Sequence, residues 1–345
     1  MATVHCLGCG LVGAYVARLL AEAGHEVHAY DLTKRDIAGV KVHVGDVFTQ
    51  LKTLPEGLVI NMLPGDFGHQ ATRELVHLGR KIVDLSFAEQ TPDVLQEDAL
   101  SKGAPVVWDV GIAPGFSNLL VAQALRDQGR VDDVQIRVGG NPTKPDGIWS
   151  YMAPFSPYDV IAEYTRPARI ISDGVTVVRP ALDQRHRITV SGRGEMEAFL
   201  SDGLRSLLWT VPAQSMAEYT VRWPGHIQRY IDMKNEGTLD PETLVQSWAL
   251  DPTKGEFTWM EVLLTANGEV IRWTVEDDGK GSDSSMARTT GLVTTAVALQ
   301  WLETPESIPV GVHAPEELPP VFLERASELF REHGVQVHMT SSRTD

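Results

Sequence analysis

Cysteine is nearly missing from this chain. Only Cys6 and Cys9 occur among 345 residues, so a disulfide framework is excluded and a single CxxC pair supplies half a zinc site at most. Cys6 reads as an inward strand residue and Cys9 as a small turn residue. Long apolar runs are missing too, since no segment approaches the ~18 uncharged residues of a membrane span. The opening Met-Ala-Thr-Val-His-Cys lacks the basic start and apolar core of a secretory signal, and a cytoplasmic location is expected. Positive charge is in deficit: 30 Lys and Arg against 46 Asp and Glu leave −16, which repels polyanions and argues against a nucleic-acid partner. An acidic surface attracts a cationic substrate, or serves solubility alone. No HExxH-type spacing links His25, His28, His43 and His69, so no metal site is expected. Internal repeats and low-complexity tracts are absent.

What the chain does contain is a strand, a glycine turn and a helix in immediate succession. The apolar run 4–7 ends in Gly8-Cys9-Gly10-Leu11-Val12-Gly13, after which Val12, Val16, Leu19, Leu20 and Ala23 recur at helical spacing until Gly24. A second strand, 26–30, closes on Asp31. Apolar runs at 40–44, 58–63, 81–85 and 105–108 follow, with helical stretches between them, which predicts a Rossmann-type doubly wound α/β parallel sheet. Beyond Gly129 the pattern alternates, as in Val134, Ile136 and Val138. Segments 257–265 and 270–275 flank Asn267-Gly268, the signature of a type I′ hairpin. A chain of 345 residues exceeds one core. The expectation is a dinucleotide-binding domain over 1–125, completed by parts of 285–345, and an α+β domain with a largely antiparallel sheet over 126–284 that binds substrate and builds a dimer interface. Met196, Phe199, Leu200, Leu204 and Leu207 predict an amphipathic helix, 289–302 predicts another that returns to the first domain, 139–147 reads as a surface loop, and Glu276-Asp277-Asp278 as a solvated turn.

In this context each glycine has a task. Gly8 permits the tight turn, Gly10 lets backbone N–H groups approach a pyrophosphate at the helix N-terminus, and Gly13 allows close helix–strand packing. Cys9, Leu11 and Val12 complete that turn. An Asp31 carboxylate would accept hydrogen bonds from a ribose 2′-hydroxyl and repel a 2′-phosphate, so the expected cofactor is NAD, although Lys34 and Arg35 could pair with a phosphate if the loop folded back. Asp46 is a candidate for the adenine edge or a surface-turn residue. Asn61, Leu63 and Pro64 end the fourth strand near where a nicotinamide ribose would lie, and Asp84-Leu85-Ser86 ends another on the same edge, with Asp84 alternatively a helix cap. Segment 109–118 leads from the last strand into a helix near Ser117 and places Asp109, Ala113, Pro114 and Asn118 on that edge.

Here the sequence resembles the saccharopine dehydrogenase and lysine 6-dehydrogenase family. The resemblance runs through the opening glycines, 59–64, 84–87, 109–118, Gly139-Gly140-Asn141-Pro142, Glu197-Ala198-Phe199 with Asp202-Gly203-Leu204, Val221-Arg222-Trp223-Pro224-Gly225-His226, and 286–291. Saccharopine-forming members tend to carry an acid where this chain has Ala113; the lysine branch has Ala-Pro-Gly followed shortly by Asn. Trp223 replaces a more usual tyrosine. The resemblance implies NAD-linked oxidative deamination of the lysine side chain to an aldehyde that cyclises, with Asn118 and Gly140 at the substrate.

Chemistry narrows the candidates further. A lysine amine has a pKa of about 10.4 and must lose a proton before hydride can leave. His226, after the Pro224-Gly225 turn, is a candidate base or an exposed turn histidine; Asp109 is a candidate to bind the ammonium, relay its proton or fix its loop. A substrate carboxylate suits a guanidinium, with Arg222 favoured over Arg288, which could instead join the domains structurally. Tyr151 and Trp149 could line a slot for the methylene chain, or belong to the core or a dimer interface. The rival reaction is saccharopine- or carboxynorspermidine-type reductive condensation, which needs a second carboxylate clamp from Arg166, Arg169 or Arg193. A rival of another class is a non-catalytic NAD sensor.

Overall fold

The first helix is written by its own residues. In the computed structural model, which describes residues 1–343, β1 (Thr3–Leu7) runs into Gly8 at φ 85° and then α1 (Leu11–Glu22). α1 buries Val16, Leu19 and Leu20 and stops at Gly24, whose φ of 85° lets the His25 N–H bond back to the Leu20 carbonyl at 3.1 Å. The alternation continues through β2 (Glu26–Asp31), β3 (Val40–Val44), β4 (Leu58–Asn61), α2 (Gly65–His77), β5 (Lys81–Asp84), α3 (Gln96–Lys102), β6 (Pro105–Val107) and α4 (Phe116–Gln128). There follow β7 (Asp133–Pro142), α5 (Pro157–Thr165), β8 (Ala168–Ser172), β9 (Val175–Arg179), β10 (His186–Val190), β11 (Gly194–Leu200), α6 (Leu207–Thr210), β12 (Ser215–Arg222), α7 (His226–Glu236), α8 (Pro241–Ser247), β13 (Glu256–Ala266) and β14 (Glu269–Asp277). The chain closes with α9 (Ser285–Glu303), β15 (Gly311–His313), α10 (Val321–His333) and β16 (Gln336–Arg343).

These elements form two compact units, one of residues 1–119 with 287–333, the other of 120–286 with the described residues from 334 on. The first holds a parallel sheet in the order β15-β6-β5-β4-β1-β2-β3, the doubly wound Rossmann arrangement with a strand added beyond β6. Its core includes Leu7, Val59, Ile82, Val106, Leu51 and Leu75; burying each contributes about 1.5–3 kcal/mol. Cys6 and Cys9 are free and buried, and burial pushes both thiols up, Cys9 to about 12. His28 and His43 stack with ring centroids 5.2 Å apart and share a 2.9 Å hydrogen bond. Among the described residues no three His, Cys, Asp or Glu side chains converge as a metal ion requires, and no helix is long and apolar enough to cross a membrane.

The second unit carries a mixed sheet, β10-β11-β12-β7-β13-β14-β16. Its neighbours are antiparallel except β12 and β7, which run parallel. Asn267 and Gly268 take φ 52° and 75° in the β13–β14 turn, as the Asn-Gly pair predicts. Three sequence expectations fail. The helix expected around Met196 is β11, because Met196, Ala198 and Leu200 share one buried face and β11 pairs with β12 from Glu197 to Leu200; two-residue alternation prevails over the helical spacing. The loop expected over 139–147 is strand as far as Pro142, since Gly139, without a Cβ, lies where one would come 2.3 Å from the Val221 carbonyl oxygen. Glu276 and Asp277 end β14 rather than forming a turn, and Asp277 is buried.

The glycine turn of the first unit is sterically tight on one side only. A Cβ on Gly13 would lie 2.1 Å from the Gly8 carbonyl oxygen, whereas one on Gly10 meets nothing within 4 Å. Gly13→Ala is expected to lose about 1–3 kcal/mol in urea unfolding through overpacking. Gly10→Ala should stay within about 0.5 kcal/mol of the parent protein.

Candidate active site

The candidate residues fall into two constellations, one in each unit. In the first, the strand ends converge on the carboxyl edge of the parallel sheet. Gly10 caps α1 without a side-chain hydrogen bond and no acid occupies the first turn, so the leading N–H groups of α1 are open to an anion. Gly10 and Leu11 are exposed, while Gly8 and Val12 are half-buried. Asp31, at the end of β2, accepts from the Cys9 N–H at 2.7 Å and the Thr33 N–H at 2.7 Å. Each carboxylate oxygen keeps lone pairs to spare, which fits the ribose end of a dinucleotide whose pyrophosphate lies on α1. Asp46 is exposed and caps a single helical turn, accepting from the Phe48 N–H at 3.0 Å.

Behind these groups lies a buried polar tie. The Asn61 amide donates to the Gly68 carbonyl at 2.8 Å and to Thr72 Oγ1 at 2.9 Å, and its oxygen accepts from the Leu63 N–H at 3.3 Å. Thr72 Oγ1 and the Ser86 N–H both donate to the Asp84 carboxylate at 2.7 Å. Asn61 and Asp84 are fully buried, so they hold the loops that carry Leu63, Pro64, Leu85 and Ser86 and do not themselves face solvent. Burial raises the Asp84 carboxyl to about 6, opposed by Ser86 and Thr72 and aided by the nearby charge of Asp109. Ser86 Oγ is buried without a hydrogen-bond partner. Asp109 is buried at φ 56°. Ala113 and Pro114 are half-buried at the following turn, and Asn118 fastens that turn, accepting from the Gly115 N–H at 3.0 Å while donating to Glu316 at 2.9 Å.

The second constellation is built around Arg222. At the end of β12, its buried guanidinium donates from Nε to Tyr164 Oη at 2.9 Å, from Nη1 to the Val221 carbonyl at 3.0 Å, and from Nη2 to Glu163 at 3.1 Å and Tyr151 Oη at 3.4 Å. It also lies over the Tyr151 ring, 4.5 Å from the centroid. Its partners Tyr151 and Tyr164 belong to an apolar cluster with Trp149, Tyr230 and Trp248. Gly140 is buried in β7, where a Cβ would lie 2.9 Å from Pro154 Cγ.

His226 belongs to this cluster, and the expectation that it titrates near neutrality is corrected. It opens helix α7 instead of standing in an exposed turn, and it is 1% exposed. Its Nδ1 bonds the Trp149 carbonyl at 2.9 Å and its Nε2 the Tyr164 hydroxyl at 2.9 Å. Since a carbonyl only accepts, Nδ1 carries the proton and Nε2 accepts from Tyr164. Burial, with the Arg222 charge second, lowers the imidazole to about 3. Asp109 and His226, the two expected catalytic groups, fall in different units.

Two acids that the sequence did not single out lie in the second unit with raised pKa values. Glu163, on α5, is raised to about 7 by burial, against the pull of Arg222. Glu218, on β12, is raised to about 8 by burial and by Glu163, and accepts from Ser201 Oγ at 3.2 Å. A Cβ on Gly203 would overlap the Glu218 carboxyl at 1.8 Å. Neither acid has a motif; three-dimensional burial alone distinguishes them. Of the arginines considered as a second clamp, Arg169 binds Asp202 through Nε at 2.9 Å and Nη2 at 2.8 Å, and Arg193 pairs with Asp278 and stacks on Phe257. Arg288 donates to the His333 carbonyl at 2.8 Å, a structural role within the first unit.

The model of the saccharopine dehydrogenase C-terminal domain matches residues 111–335. Alpha-aminoadipic semialdehyde synthase of Arabidopsis thaliana is 23% identical over 146 residues, which are 40% of this chain and 14% of that protein; the chain therefore spans a small part of that relative. Among solved structures, apo histidine-tagged saccharopine dehydrogenase (L-Glu forming) from Saccharomyces cerevisiae superposes with a TM-score of 0.76 at 15% identity, covering 99% of this chain and 100% of that one. At such identity the likeness establishes the shared fold.

Because the Glu218 carboxyl titrates higher in the fold than its usual ~4.3, the folded state holds a proton that the unfolded chain releases. Its contribution is complete at acid pH and is lost as pH rises toward about 8. Wild type should lose more stability than Glu218→Gln between pH 5 and 9, by on the order of 1 kcal/mol or more, in denaturant titrations at both pH values.

Proposed function

From a chain that belongs to the saccharopine dehydrogenase-like family of oxidoreductases, as the match over residues 111–335 establishes, we propose an NAD-dependent dehydrogenase that deaminates the side chain of L-lysine. The observation that carries the substrate assignment is the buried Arg222 guanidinium, set among Tyr151, Tyr164 and Trp149 beside an acid raised to about 7. A substrate carboxylate would take the place of Glu163 on the Arg222 guanidinium, the aromatic walls suit a methylene chain, and Glu163 so released is able to take a proton at neutral pH. Ala113 supports the deaminating branch, in keeping with the resemblance, since saccharopine-forming members tend to carry an acid there.

The cofactor reading rests on the first unit. The open N-terminus of α1 and the Asp31 carboxylate fit a pyrophosphate and an unphosphorylated ribose, which favours NAD over NADP. Bound NAD supplies the acceptor for the hydride and its two electrons. The protein's part begins with deprotonation of the substrate ammonium, for which Glu163 replaces His226. Departure of hydride from C6 then leaves a C=N bond; water adds, ammonia leaves, and the aldehyde closes on the α-amine with loss of water to give piperideine-6-carboxylate. Asp109 keeps the role of holding the turn that leads to α4. A condensing reaction would need a second clamp from Arg166, Arg169 or Arg193, of which Arg169 holds Asp202 and Arg193 holds Asp278. A soluble setting and a homo-oligomer complete the proposal.

Mixing the protein with NAD and L-lysine should raise NADH absorbance without any added keto acid. NADH consumption only with lysine plus 2-oxoglutarate would overturn deamination in favour of condensation, and silence across a panel of amines would leave a sensor. Glu163→Gln should lower kcat by about 10²–10⁴ and remove the limb of the pH profile that rises through about 7. Asp31→Ala should narrow the preference for NAD over NADP, read as the ratio of kcat/KM values.

A further inference from the structure

Arg222 is enclosed unevenly. Tyr151 and Tyr164 are 2% and 1% exposed, and the Val221 carbonyl belongs to β12 itself, so these three partners are fixed in the interior. Glu163 differs from them. Its side chain keeps 17% of its surface exposed, beside 3% for Arg222. It offers a single oxygen to Nη2 at 3.1 Å and accepts no other hydrogen bond among the described residues. Of the two Nη1 N–H groups only one is used, on the Val221 carbonyl. A guanidinium that gives one N–H to one carboxylate oxygen is held less strongly than one that gives two parallel N–H groups to both oxygens. The Glu163 contact is therefore the exchangeable one, and it is the side of Arg222 that solvent reaches.

We infer that Glu163 is a resident stand-in for the carboxylate of the ligand: an incoming carboxylate displaces it from Arg222, and the displaced Glu163 takes up one proton, from solvent or from an ammonium of the ligand itself. The inference rests on the reading of Arg222 as a carboxylate clamp and adds to it the proton that accompanies binding.

The groups around Glu163 explain the proton. It faces Asp159 and Arg166 on its own helix, Arg222 and Glu218 on β12, and the hydroxyls of Tyr151 and Tyr164. His226, on α7, is neutral and committed to Tyr164 and Trp149. Among these neighbours Arg222 acts most strongly to keep Glu163 ionised, with Arg166 behind it, against burial and Asp159. A ligand carboxylate neutralises Arg222, so the balance passes to burial and the acids, and the Glu163 carboxyl rises above the value of about 7 that it has in the free protein. Carboxylate binding is then independent of pH below about 7, where Glu163 already holds its proton, and weakens about tenfold per pH unit above it. An amino acid with a side-chain ammonium supplies the displacing group and the proton together. An amine without a carboxylate leaves Glu163 on Arg222, where it is not free to act as a base.

Hexanoate, which has the carboxylate and the chain but no amine, tests this without turnover. By calorimetry its Kd should be at least about tenfold higher at pH 8.5 than at pH 6. Titrations at pH 8.5 in two buffers of different ionisation enthalpy should show uptake of close to one proton, and hexan-1-ol should show none. Glu163→Gln should bind hexanoate with the same Kd at both pH values and without proton uptake. A wild-type Kd that does not change with pH, or a slope that persists in Glu163→Gln, overturns the inference and leaves Arg222 as a carboxylate clamp. Failure of hexanoate to bind either protein overturns both. Proton-linked binding of hexanoate in a protein that does not oxidise lysine supports the exchange and removes only the deamination reading.

Discussion

A guanidinium charge that has left water must be met from every side, and in the second unit that requirement falls on Arg222. Five N–H donors leave the end of β12 in a fixed fork, and the chain answers four of them with two tyrosine hydroxyls, a carbonyl and a carboxylate. Tyr164 can accept from Arg222 only by turning its own proton toward His226, and His226 can accept only by keeping its other proton on the Trp149 carbonyl. One buried cation thus decides the tautomer of a histidine, the placement of two aromatic rings and the protonation range of Glu163. Leaving any member unpaired would cost several kcal/mol, so the network behaves as a unit.

The first unit solves a different problem by a similar economy. Its ligand edge is made of short loops after parallel strands, which have little packing of their own. Asn61, Thr72, Asp84 and the Ser86 N–H tie two of those loops and α2 together beneath the surface. The groups that stay open are backbone groups at the start of α1 and the spare lone pairs of Asp31. A dinucleotide needs such a surface: rigid from below, with donors for phosphate and an acceptor for ribose.

Much of this architecture was legible in the sequence because its determinants are local. Gly8 and Gly13 each stand where the backbone leaves no choice, Asn267-Gly268 sets its own turn, and alternating strands and helices permit few topologies. Met196 to Leu207 misled because apolar residues at 196, 199, 200, 204 and 207 suit a helix, while the pairing of β11 with β12 that decides the matter is remote in the chain. Arg222 and Tyr151 could be singled out as residue types near motifs. Glu163 and Glu218 could not, since an acid becomes chemically distinctive through the water it loses, and that is a property of the folded chain. His226 illustrates the converse: its residue type promised titration and its surroundings withdrew it.

The space that Gly203 leaves for the Glu218 carboxyl has an evolutionary side. A methyl group at 203 alone lands on the acid, and shortening the acid alone empties a buried cavity, so each single step is penalised while the joint step is not. Positions 203 and 218 are therefore epistatic, and descendants of this sequence that give up the glycine should be found to have given up the glutamate as well.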